Sequence, residues 1–369
     1  MLLLSLQTNE FRNLSGRIEF DRALNIFAGP NGEGKTNWLE AIAVLASARS
    51  FRTARLGEAI NFGSSEAVIS GSVEESAEIV RRLGITIREN GKTLAVNGKK
   101  ETTPNYLGQL NALVFEAGEL DIVRGRPEAR RRFLDAGIVS LHPPFVQTFS
   151  DYSRVLKQKN ALLAASDTMS VDALRVRIEP WNQQLVRLAS RIHRARLRFV
   201  ERLNADLEHR LFSSEDLQVR YLSSLEGKGS LSDYEGLLAE RLELRLSAEA
   251  AAGNSLIGPH RDDLEMMLDG HDIRKYGSAG QQRSALLLLH LAAITVFYAT
   301  RGEYPLYLLD DIDAELDYRR IGLLLEYLEG KTQVFLTTSK ESFIVRFGAK
   351  AAVLKVAAGR AERLETKPR

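Results

Sequence analysis

The chain has 369 residues, more than one typical domain, and 44% of them are hydrophobic, enough for two packed lobes. Lys and Arg number 50 against 48 Asp and Glu, which excludes a globally basic or acidic chain and confines any nucleic-acid surface to a local patch. The absence of cysteine excludes disulfides and thiolate metal sites. The apolar start at Met1 breaks at Ser5, so the expectation is a soluble, cytoplasmic protein with neither signal peptide nor spanning helix.

In chain order, Leu2 to Thr8 alternates enough for an edge strand. Phe11, Arg12 and Asn13 make a turn, and Gly16 to Phe20 reads as the hairpin partner. Arg12 lies one strand upstream of the motif that follows, within reach of a nucleotide there; a solvated turn arginine is the alternative. Ala23 to Ala28 reads as a short buried strand. It runs into Gly29, Pro30, Asn31, Gly32, Glu33, Gly34, Lys35 and Thr36, which fits the phosphate-loop pattern G-x-x-x-x-G-K-[ST] throughout, and Asn37 to Ala46 then reads as a helix. Strand, glycine-rich loop and helix in that order let successive backbone N–H groups and the positive end of a helix dipole face one anion. In such a loop Lys35 reaches the β- and γ-phosphates of ATP, and the Thr36 hydroxyl ligates Mg2+.

Arg49, Arg52 and Arg55 cluster behind this helix, as phosphate or DNA sensors or as a solvated loop. Strand signals follow at Glu66 to Val73, Ile85 to Arg88 and Thr93 to Val96. The Asn90-Gly91 pair predicts a type I′ hairpin turn, and Asn97-Gly98 repeats the punctuation. Ala112 to Phe115 is an apolar strand. From about Glu119 the pattern becomes helical, with Pro127 at a helix N-terminus among Arg124, Arg126, Arg130, Arg131 and Arg132. Trp181, Leu185, Leu188, Ile192, Ala195, Phe199 and Leu203 fall at three- and four-residue steps on one long helix, which pairs antiparallel with a helix before it. Its other face carries Arg187, Arg191, Arg194, Arg196, Arg198 and Arg202, as a DNA or partner surface or as an ordinary solvated face.

Strand character returns after Gly258-Pro259-His260-Arg261-Asp262-Asp263. Next come Ser278, Ala279, Gly280, Gln281 and Gln282, a small loop opening an apolar helix. Leu306 to Leu309 is a buried strand ending in Asp310 and Asp311. A carboxylate pair there is costly to bury unpaired and suits the partner of a phosphate loop: Asp310 holding Mg2+ and Asp311 polarising the attacking water as general base, with ion pairing to a nearby arginine as the alternative. Val334 to Thr338 is a further strand. A compact phosphate-loop domain does not need so long a separation between Lys35 and Asp310, so the helical section is an insertion and the two ends share one sheet. The expected fold is α/β: a P-loop head from residues 1–117 and 256–369, with a helical lobe at 118–255.

The Ser278 loop resembles the signature motif of ATP-binding-cassette proteins, which contacts the γ-phosphate held by a second subunit. The resemblance implies such a role for Ser278, Gly280 and Gln281, matches Asp317 to the D-loop aspartate, and puts Thr337 or Thr338 at the switch position, where transporters usually carry histidine. Over essentially its whole length the chain resembles the RecF family, bacterial recombination-mediator ATPases related to SMC heads. The carriers are Phe11-Arg12-Asn13, Gly29 to Asn37, Ser50-Phe51-Arg52-Thr53, Arg130 to Asp135, Gly258 to Asp263, Ser278 to Arg283, and Leu308 to Asp311 with Glu315-Leu316-Asp317. Where that family usually has Phe-x-Pro-Glu-Asp-Leu, this chain has Phe115-Glu116-Ala117-Gly118-Glu119-Leu120. The resemblance implies an SMC-like cassette head, ATP-dependent homodimerisation and DNA binding near single-strand/double-strand junctions. It also implies slow DNA-stimulated ATP hydrolysis, and cooperation with RecR and RecO in DNA repair, replication and RecA loading. The competing reading is the ATP-binding subunit of a membrane transporter, against which the arginine-rich insertion and the switch threonine argue. A non-hydrolysing, nucleotide-gated scaffold is a third.

Overall fold

The computed structural model describes residues 1–76, 79–166, 169–207 and 216–364. By internal contacts the chain forms two compact units, Met1–Glu119 with Ala293–Arg369, and Leu120–Ala292. The second is a single insertion into the first. By this division residues 256–292 go with the inserted unit, because the strand Asp263–Leu268 pairs antiparallel with Leu217–Leu222.

The first unit has two six-stranded sheets. One runs Leu14–Glu19, Leu2–Phe11, Glu66–Ser76, Ile79–Arg88, Gly91–Val96, Lys99–Glu101, each neighbour antiparallel. The expected edge position of Leu2 to Thr8 is therefore corrected: this strand is paired on both sides, and Leu14–Glu19 takes the edge. The hairpin turn is corrected as well. Arg88 pairs with Gly91, so Glu89 and Asn90 make that turn. The left-handed pair is Asn97-Gly98, with φ of 50° and 78°, where Val96 meets Lys99.

The other sheet runs Arg360–Arg363, Ala352–Ala357, Leu24–Ala28, Val334–Thr338, Leu306–Leu309, Ala112–Phe115, parallel except for its first pair. The two ends of the chain do share a sheet. The helix Lys35–Ser47 packs on both sheets: Trp38, Leu39, Ile42 and Leu45 join one core with Leu3, Leu6, Ile69 and Ile85 of the first and Phe27, Leu308 and Phe335 of the second. A helix covered on two faces must be apolar nearly all round, which is why Trp38 to Ala46 is buried without a break.

In the inserted unit, Phe145–Ala164 and Val171–Leu207 form the expected antiparallel pair. Tyr152 and Val155 pack with Leu185, Ala189 and Ile192, while Leu163, a turn or more further on, packs with the earlier Leu174 and Ile178. One member of the expected arginine face is displaced. Arg196 is 3% exposed, paired bidentate with Asp135 and donating to the Pro259 carbonyl, so it belongs to the core and not to the solvated face. The helix Ala279–Arg301 is the one among the described residues long and apolar enough to cross a membrane, but 72% of its apolar window is buried inside the protein, as in a core helix.

Candidate active site

The loop Gly29 to Gly34 turns between the strand Leu24–Ala28 and the helix Lys35–Ser47. Two of its glycines are required by space and by backbone. A Cβ on Gly29 would stand 2.4 Å from the Val356 carbonyl oxygen, and Gly34 holds φ at 107°. The loop is supported from outside: the Glu33 carbonyl and carboxylate accept the backbone N–H groups of Gly359 and Ala358. Pro30, Asn31 and Gly32 complete the turn. Lys35 Nζ lies 2.8 Å from the Gly29 and Pro30 carbonyl oxygens and 3.5 Å from Asn31 Oδ1. Burial lowers its pKa, and Asp311 and Asp310 oppose that shift.

The strand order sets what faces the loop. Leu306–Leu309 is one strand removed from Leu24–Ala28, with Val334–Thr338 between them. Parallel strands bring their C-terminal ends to one edge, so Thr36, Asp310 and Thr337 converge. Asp310 Oδ1 accepts from Thr36 Oγ1 at 2.9 Å and from Thr337 Oγ1 at 2.7 Å. Thr337 Oγ1 in turn accepts the Asp311 N–H at 2.8 Å. Asp311 is left-handed, at φ 49°, and exposed. Burial, then Asp313 and Asp310, raise its pKa, which favours a proton-accepting carboxylate. Thr338 is turned elsewhere, onto Asp313 Oδ2.

Oxygen donors of this kind fit a hard cation. Among the described residues no group of three or more His, Cys, Asp or Glu side chains could hold a metal by itself. One hydroxyl beside one carboxylate suits an ion that takes its other ligands from water and phosphates, as Mg2+ does. Thr36 and Asp310 are the residues that would hold it.

Arg12 is not a free turn arginine. Its guanidinium forks onto the fully buried Glu40, at 3.1 and 2.8 Å, and Arg52 reaches the same carboxylate and Asn37 Oδ1. Asn37 also donates to Asn13. Two arginines are thus held against the first helix by one carboxylate. Arg49 and Arg55 are not among the partners of Glu40.

In the inserted unit, Ser278 caps the helix Ala279–Arg301. Its hydroxyl accepts the Gln281 N–H at 3.3 Å, and the Gln281 side chain accepts the Ser278 N–H at 2.9 Å, a reciprocal capping box. Ser278 is exposed and Gly280 half-buried. In the first unit, Asp317 caps the helix Tyr318–Leu328 through the Arg320 N–H and is exposed.

The family described as RecF/RecN/SMC N terminal domain matches residues 2–362. The chain is 38% identical to the DNA replication and repair protein RecF of Rippkaea orientalis, over 98% of this chain and 99% of that protein. It is 37% identical to that of Enterococcus faecalis, over 92% of each. The chain belongs to the RecF family.

A solved structure of "the recombination mediator protein RecF-ATPrS in RecFOR pathway" superposes on this RecF-family chain with a TM-score of 0.88 at 29% identity, covering 98% of both. An Smc head domain from Pyrococcus furiosus shares the fold, with a TM-score of 0.56 at 15% identity. The expected SMC-like head fold is therefore present. Sequence reasoning missed two carboxylates near the candidate site. Glu40 lay hidden in an apolar helix pattern. Glu116 follows the strand Ala112–Phe115, whose Phe115 carbonyl accepts the Asp310 N–H at 2.9 Å. Burial, then Glu119 and Asp310, push the Glu116 pKa up to about 7. The signal for both was a carboxylate beside a motif whose neighbours are otherwise apolar or small.

Proposed function

We propose that this chain is an ATP-dependent DNA-binding mediator of DNA replication and repair, acting in the cytoplasm as a homodimer that ATP assembles and slow hydrolysis releases. The observation that carries the reading is the convergence of the Thr36 and Thr337 hydroxyls on one oxygen of Asp310 beside a complete phosphate loop. The names of the curated relatives and the ATP-family ligand of the solved neighbour support it.

In this reading residues 29–37 cradle the ATP phosphates through backbone N–H groups, and Lys35 leaves its loop carbonyls to meet the negative charge. Thr36 and Asp310 would hold Mg2+, which would supply charge neutralisation for the phosphates. Asp311, its backbone fixed by Thr337, accepts the proton of the attacking water. Arg12, anchored on Glu40, flanks the nucleotide. Ser278, Gly280, Gln281 and Asp317 face the nucleotide of a second copy, so that each closed site takes residues from two chains. The functional division follows the motifs: residues 1–117 and 256–369 act as the ATPase head and 118–255 as the helical lobe. Junctions between single- and double-stranded DNA are the preferred substrate. RecR and RecO are the partners, for which the RecFOR description of the solved neighbour speaks.

Light scattering with ATP and Mg2+, with and without duplex DNA, tests this. The parent is expected to dimerise and to hold DNA, and Lys35→Ala to do neither. A Lys35→Ala protein that dimerises like the parent overturns the site.

A further inference from the structure

The helix Val171–Leu207 shows two kinds of exposed arginine. Near its start Arg175 is matched, pairing with Asp172 at 2.7 Å and Glu243 at 2.5 Å. Further along, Arg187, Arg191, Arg194, Arg198 and Arg202 are all exposed, and of these Arg202 has an interaction of its own. At about 100° per residue they fall within roughly one third of the helix circumference. Their mutual spacing is unfavourable for an isolated helix. Arg187 and Arg191, Arg194 and Arg198, and Arg198 and Arg202 are four apart, and Arg191 and Arg194 are three apart, so each adjoins another positive charge on the surface. A solvated helical face normally alternates sign to avoid this. Here Glu201 is the one acidic residue of that face between 187 and 202, and Glu235, 3.5 Å from Arg194, is among the described residues the one ion-pair partner of Arg187, Arg191, Arg194 or Arg198.

We propose that this face, Arg187 to Arg202, tracks the phosphate backbone of bound DNA. The inference rests on the DNA-binding reading above and assigns the surface for it. A row of like charges that opposes its own helix is relieved by an external polyanion. The row is about 22 Å long at 1.5 Å per residue, a length over which duplex DNA presents roughly 13 phosphate charges. All five are arginine, whose planar fork binds phosphate bidentately, as lysine does not. No apolar or aromatic side chain interrupts the row to read bases, so the contact is independent of sequence.

The test is Arg191→Gln/Arg198→Gln, in the full chain with ATP and Mg2+, titrated with a mixed-sequence DNA duplex across a series of salt concentrations. Glutamine keeps helix propensity. The double variant is expected to bind on the order of 10–100-fold more weakly near 0.1 M salt, with a log–log salt slope shallower by about two. Its urea midpoint is expected to be equal to or higher than the parent's, because two repelling charges are gone. Arg175→Gln, which removes a matched arginine, is expected to bind as the parent. A parent that holds no DNA in any nucleotide state overturns the function reading and this surface together. A parent that binds while the double variant binds equally, with an unchanged slope, overturns this surface alone. Weakened binding accompanied by a lower urea midpoint assigns the arginines to the fold and also overturns it.

Discussion

Asp310 accepts the Thr36 hydroxyl at 2.9 Å across 274 positions of chain, and this bond joins the phosphate loop to the strand-end carboxylate. Both oxygens are proposed Mg2+ ligands, so Thr36→Val, which removes the hydroxyl and keeps the shape, should weaken ATP binding chiefly when Mg2+ is present. A charge-assisted hydrogen bond or its metal-bound equivalent is worth about 1.5–3 kcal/mol, or roughly 10–100-fold in Kd. Calorimetric titration with ATP, with and without Mg2+, checks this. An equal loss in both would place the hydroxyl on phosphate.

Asp311→Asn should separate binding from chemistry. Asparagine keeps the size and the backbone contact to Thr337 but cannot take a proton, so turnover should fall ~10²–10⁴-fold while ATP still binds. The dimer should then live longer on DNA. A variant that stays monomeric with ATP, beside a dimeric parent, would move Asp311 from the chemical step to nucleotide binding or to the fold.

Ser278→Arg should leave ATP affinity in the monomer intact and abolish dimerisation, because a bulky cation would replace a small hydroxyl at the proposed interface. Ser278→Ala removes the cap without adding bulk and should cost about 1 kcal/mol of stability. Lost ATP affinity in a monomeric Ser278→Arg protein would assign the loop to its own chain's nucleotide.

Arg196→Leu should destabilise the inserted unit by up to about 3–5 kcal/mol, because it removes a buried guanidinium that donates to Asp135 and to the Pro259 carbonyl. Urea unfolding measures it. A loss under about 1 kcal/mol, the range of solvated pairs, would mean that the pair is wet in solution.

Glu116 adds a pH dependence of definite sign. Its pKa is raised in the fold to about 7 from an ordinary 4.5, so the native state binds more protons than the unfolded chain between those values. The contribution of this group to native stability therefore declines as pH rises from about 4.5 to about 7. Glu116→Gln should flatten that decline, read as urea midpoints across the range. An identical pH profile in the variant would show the carboxylate solvated and ordinary.

The fold and the ends of the site were legible where local pattern and chemistry coincide. Glycines before Lys35, an apolar strand before Asp310, and the change of period near Glu119 each state one local fact strongly. Long-range partners were not legible. Nothing adjacent to Thr337 says that its hydroxyl holds the Asp310 carboxylate and the Asp311 backbone N–H, and nothing near Arg12 or Arg52 names Glu40. Arg196 shows why a charged face cannot be read from residue type alone: helical spacing turns it opposite to Arg187, and Asp135 is the partner that makes its burial affordable. The turn at Glu89-Asn90 was misplaced by one residue because Asn-Gly chemistry was weighed without the cross-strand register, which the Arg88–Gly91 pair determines.

The strand Leu24–Ala28, which feeds the phosphate loop, has Val334–Thr338 on one side and Ala352–Ala357 on the other, and Ala358 and Gly359 hold the loop itself. During synthesis a ribosome delivers the loop more than 300 residues before its supports. Until Val334–Thr338 and Ala352–Ala357 are made that strand has two open edges, which invite wrong pairing, and its sheet closes only across that span of chain. The loop's own supports therefore wait for residues 352–359, and a nascent fragment that carries the whole motif but stops short of them holds it unbraced.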